Sequence, residues 1–62
     1  MTDLERERHF LRGDITELLE EMPTLHLLPV HAQQAWHARK VRIAERLVLL
    51  HAEDEAARVL SF

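Results

Sequence analysis

His51 and Glu55 stand four residues apart, as do Asp54 and Arg58, so on a helix each pair shares a face. An imidazole beside a carboxylate can take part in a metal site, but such a site needs three or four converging ligands. No second pair joins His51 nearby, so the spacing describes a helix-surface ion pair worth a few tenths of a kcal/mol. His37 lies two heptads before His51, in an apolar setting near Ala44 and Val48. Polar groups on such a seam need hydrogen-bond partners and often set register or oligomeric state. Protonating all five histidines would move the formal charge from −3 to +2, which makes assembly a candidate for control between about pH 5 and 7.

Arg39, Arg42 and Arg46 form a basic stripe, with Lys40 beside it. Such a stripe could follow a phosphate backbone, which makes a dimeric RNA- or DNA-binding regulator the alternative reading. Glu45 and Glu53 flank it, no aromatic residues interleave it, and the chain is acidic overall. Those features favour a solvated face, or pairing with acids elsewhere in the chain. Ser61 is the only serine and there is no cysteine, so no nucleophile is placed beside a base. Arg12-Gly13-Asp14 spells a cell-adhesion tripeptide inside a helical pattern and is read as chance. Two helices leave no room for a pocket of about 300 Å3. The chain is therefore expected to be no enzyme, with no catalytic, cofactor or metal residues.

The elements that carry these residues follow from periodicity. Thr2-Asp3-Leu4-Glu5 has the form of a capping box. Leu4, Leu11 and Leu18 then alternate with Arg8, Ile15 and Met22 as a heptad seam, which predicts a first helix over about 3–22. Gly13-Asp14 is a candidate kink, or a C-cap followed by a second helix start. Phe10 falls among Glu7, Asp14, Glu17 and Glu21, away from the seam, and is a candidate for contact with another protein. Residues 23–29 form a connector with Leu25, Leu27 and Leu28, expected to fold over the bundle end as a plug. Pro29 suits the first turn of the next helix.

From Pro29 to Phe62 there is no glycine and no further proline, so a second helix is expected over about 30–60. Ala32, Trp36, Ile43, Leu47 and Leu50 fall along one line of it, with Val41, Ala44, Val48 and Ala52 along a second. Together they span roughly 200°, about twice what a surface helix needs. Such a helix requires two neighbours, and the first helix can supply only one. The second helix would also be about 45 Å long against about 30 Å for the first. Val59, Leu60 and Phe62 would then overhang as partner contacts. These features predict an oligomer interface of Trp36, Val41, Ile43, Ala44, Leu47, Val48, Leu50 and His51.

With 62 residues the chain makes one domain and buries only about 60% of the surface its unfolded form exposes. Lacking cysteine, it has no disulfide to staple so small a core. No leader or spanning run is visible, since the longest apolar stretch is Leu47 to Leu50. The expected setting is therefore cytoplasmic, with no membrane partner. Residues 1–22 carry a net −4 and residues 30–62 a net +1, which favours docking the first segment on the second. The fold class predicted is all-α, a two-helix antiparallel hairpin pairing into a four-helix bundle. The function expected is that of a small non-enzymatic protein–protein interaction module, an adaptor, inhibitor or assembly factor acting as a homo-oligomer. An obligate subunit of a hetero-complex is a further alternative.

Overall fold

A computed structural model describes residues 2–62 and shows an all-helical chain, with no strand among the described residues. Helix α1 runs Asp3–Glu21, a 3-10 segment covers Met22–Leu27, and α2 (Val30–Leu49) and α3 (Glu53–Leu60) follow. Thr2 caps α1 from extended backbone, its Oγ1 accepting from the Glu5 N–H at 3.2 Å. That bond satisfies one of the donors a helix start leaves unpaired. The helix passes unbroken through Gly13, so no second start forms at Asp14. Pro23 enters the first turn of the 3-10 segment, and Pro29 precedes α2 in extended conformation.

The expected second helix is corrected at its far end. It stops at Leu49, and the chain turns back through Leu50–Ala52 into α3. His51 sits in the left-handed region at φ 61°. Around it the Ala52 N–H bonds the Leu47 carbonyl at 2.8 Å and the His51 N–H bonds the Val48 carbonyl at 3.0 Å. This is the pair of bonds of a Schellman ending, with histidine in the place glycine usually holds. Leu47 and Ala52, the two positions that such an ending brings into apolar contact, are both buried. Glu53, Asp54 and Glu55 then occupy the first turn of α3, where the helix dipole favours acids.

The return of α3 removes the overhang. With 19 residues in α1 and 20 in α2, the two rods match in length. It also supplies the second neighbour that α2 required. Leu11 and Leu18 of α1, Trp36, Ile43, Ala44 and Leu47 of α2, and Ala56 and Val59 of α3 form one core with Leu50 and Ala52. Trp36, the sole tryptophan, is buried, and its Nε1–H donates to the Leu18 carbonyl at 3.2 Å. The Lys40 ammonium lies 5.5 Å from the centre of its ring. Of the connector leucines only Leu25 packs against the core, so the plug is a single side chain and Leu27 and Leu28 face outward.

The shape is open for so short a chain. Its radius of gyration is 12.3 Å, against about 11 Å for a compact domain of this length. Accessible surface is 4583 Å2, where about 4200 Å2 is usual for 7.3 kDa.

Two stability outcomes follow. A methyl group at Gly13 meets nothing within 4 Å, so Gly13→Ala should stabilise the fold by about 1 kcal/mol and raise Tm by roughly 4–8 °C in a calorimetric scan. Leu47→Ala empties the centre of the core and should cost about 2–5 kcal/mol in urea unfolding followed by Trp36 fluorescence.

Candidate interaction surface

The expected interface residues divide between inside and outside. Trp36, Ile43, Ala44, Leu47 and Leu50 are buried within the single chain, as is Val59. They are core here, because α3 covers the side of α2 that the first helix leaves bare. Val41, Val48 and His51 remain exposed, as do Phe10 and Leu60, while Phe62 is half-buried against the core.

Helical spacing sets Val41 and Val48 one heptad apart on α2, with Val30 and His37 on the same line and Ile43 and Leu47 turned inward. On α3 the buried Ala56 and Val59 face α2, and Glu55 faces α1, so Leu60 falls on the edge away from α1. Lys40 Nζ reaches the Phe62 carbonyl oxygen at 3.5 Å, which brings the end of α3 level with the middle of α2. Val41, Val48 and Leu60 thus border one outer apolar strip on α2 and α3. A second tract, at the connector end, comprises Leu19, Met22, Leu27, Leu28 and Val30. Sequence reasoning missed that tract because three leucines between prolines resemble a plug. The absence of any period linking them to one face was the available signal. Phe10 stands alone on the outer side of α1, 64% exposed, edge-on to His9 at 6.4 Å.

The basic stripe is largely neutralised by α1. Arg39 pairs with Glu17 at 3.3 Å and Glu21 at 3.4 Å, and Arg46 with Glu7. Arg42 alone of the three has no carboxylate within ion-pair distance among the described residues. The acidic first segment thus docks on the basic second one, as the charge division anticipated.

No family model, curated protein or solved structure matches this chain.

A third ionic contact ties α3 to α1. Glu55 accepts from Arg12 Nη2 at 3.1 Å and from Arg8 Nη2 at 3.4 Å. The expected His51–Glu55 surface pair is not formed, since the elbow separates the two residues. Arg8 is the one basic residue in the α1 seam, and its Nε is enclosed without an acceptor. Between α1 and α3 lies an open crevice of about 310 Å3, lined by Arg12, Ile15, Glu55, Arg58, Val59 and Phe62. The return of α3, absent from the two-helix expectation, creates this crevice. Among the described residues no three histidines, cysteines or carboxylates come together as metal ligands. Among the described residues no helix is long and apolar enough to cross a membrane.

The hydrogen bond from Arg12 holds the Glu55 carboxyl below the usual carboxylate range; Arg8 adds to this and partial burial opposes it. A carboxylate with a depressed folded-state pKa stabilises fully above its unfolded value, and loses that effect as pH falls through the folded one. Acid titration should therefore loosen α3 below the ordinary glutamate range. Glu55→Gln should remove about 1 kcal/mol or less at pH 7 and flatten that acid limb when helicity is followed against pH.

Proposed function

We propose that this chain is a small non-enzymatic protein–protein interaction module that acts as a homo-oligomer. It docks the apolar face of a helix from a larger protein on the strip bordered by Val41, Val48 and Leu60. The observation that carries this reading is the division of the apolar side chains. Among the described residues eleven large ones stand exposed, against ten buried ones of which three are alanines. Isolated exposed apolar residues are ordinary on any protein. Clusters set along one helical line are what helix-in-groove recognition uses, through anchors spaced three, four and seven residues apart. Phe10, exposed on α1, offers a second anchor. Self-association fits the same division, since a core this small gains from a second copy and paired chains present the strip twice. Nothing favours the nucleic-acid reading, because Arg39 and Arg46 are already paired with carboxylates.

Val41→Asp combined with Val48→Asp tests the strip without disturbing the core. The double variant should keep its helical circular dichroism and its thermal midpoint to within a few degrees. It should lose binding to partners captured by the wild-type chain from its host, with binding to the purified partner weakened at least tenfold. Undiminished partner binding by the folded variant would rule the strip out.

A further inference from the structure

The α2–α3 elbow leaves helical geometry without a glycine or proline. His51 holds φ 61°, a conformation glycine takes freely and histidine only with strain. Nothing else from Val30 to Phe62 resists a single helix, since the span has neither glycine nor proline. A straightened elbow would make α2 and α3 one continuous rod and relieve the backbone at His51. It would also uncover Ala44, Leu47 and Leu50, and separate Glu55 from Arg8 and Arg12.

The vacated groove accepts one occupant already matched to it, the α3 of a second copy. In the closed chain α3 runs antiparallel to α2, with the Ala52 N–H on the Leu47 carbonyl near the elbow and Lys40 Nζ at the Phe62 carbonyl oxygen at the far end. Residues equally distant from the elbow therefore meet. Two straight rods laid antiparallel with their elbows together preserve that register, so Ala56 and Val59 of one copy reach Leu47 and Ala44 of the other. Glu55 of one copy likewise reaches Arg8 and Arg12 of the other, conserving the charge match. With only Leu50–Ala52 between the helices, exchange requires straightening, and short strained hinges favour such exchange.

We infer that the chain self-associates by exchanging α3, giving a dimer whose four helices are two copies of α1 and two continuous rods spanning residues 30–60. This rests on the homo-oligomeric part of the proposed function and is independent of the docking strip, whose residues make none of the exchanged contacts.

Charge-reversal complementation tests it. One variant carries Arg8→Glu with Arg12→Glu, the other Glu55→Arg, so each alone sets like charges across its own α3 contact. Exchange between the two restores attraction at both contacts. Refolded together, one of them mass-tagged, they should give heterodimers at least tenfold over homodimers by native mass spectrometry, with helicity above that of either alone. A statistical mixture, or no heterodimer, overturns the inference. A second arm uses His51→Gly, which eases the closed elbow and should raise the dimer dissociation constant at least tenfold in sedimentation. Association that survives His51→Gly unchanged but disappears with Val41→Asp and Val48→Asp would assign the dimer to the outer strip and overturn α3 exchange. A wild-type chain that stays monomeric to about 1 mM would overturn exchange too, while leaving partner binding by the strip to its own test.

Discussion

The fold depends on covering the second apolar side of α2. A helix with Trp36, Ile43 and Leu47 along one line and Ala44 beside them cannot be shielded by α1 alone. The chain's last ten or so residues do the remaining work, and Leu47 is left with no accessible surface because α1 and α3 close on it together. Most other features adapt to that return. Arg8, a polar intrusion in the α1 seam, becomes tolerable because Glu55 comes back to meet it. Arg12 gains the same partner, and the Phe62 carbonyl ends beside Lys40. The ionic contacts are thus arranged around the burial rather than driving it, consistent with how little exposed pairs contribute by themselves.

Much of this was legible in the residues. Thr2 and Glu5 mark the start of α1, Leu11 and Leu18 of the leucine seam mark its inner face while Leu4 and Met22 are exposed, and Pro29 marks where α2 begins. The apolar arc was read as a demand for two neighbours; α3 is the second, and Val41 and Val48, part of that arc, stay uncovered. The error concerned who supplies the second. Helix endings are usually legible through glycine or proline, and the elbow has neither. Its signature is two backbone hydrogen bonds and a Leu47–Ala52 juxtaposition, and both residues would suit a continuing helix equally well. Histidine does enter the left-handed region more readily than most residues. Glu53-Asp54-Glu55 after it is also the acid cluster of a new first turn. Those two signals together pointed to the elbow, but each is weak against a span of over thirty residues without a breaker.

The same division explains why the surface looks as it does. α3 is narrow: it buries only Ala56 and Val59, next to Ala52 of the elbow and Ala44 of α2. Small residues let the helices approach closely but cover little of their flanks. Ile43 and Leu47, turned toward α1 and α3, are enclosed, whereas Val41 and Val48, about 100° or more further round the helix, are not. A bulkier third helix would have hidden the strip. The exposed apolar line is therefore a consequence of what closes the fold, and the oligomer residues named from the sequence fall on both sides of that boundary for the same reason.

The helicity of α3 is itself conditional. Eight residues are too few for a helix that stands alone in water, where about 12–15 are needed even for favourable sequences. Two arrangements can keep it helical: docking on α1 and α2, or fusion end to end with α2. The first needs His51 in a strained conformation and draws its hold from two alanines, one valine and the Glu55 ion pairs. The second needs only helical backbone, but it bares Leu47 and so requires another surface to cover it. The elbow consequently balances local strain against burial, and the concentration of a covering surface decides which side prevails. The third helix is for that reason held only by what it docks against, and it is the element through which the proposed self-association would act on the rest of the chain.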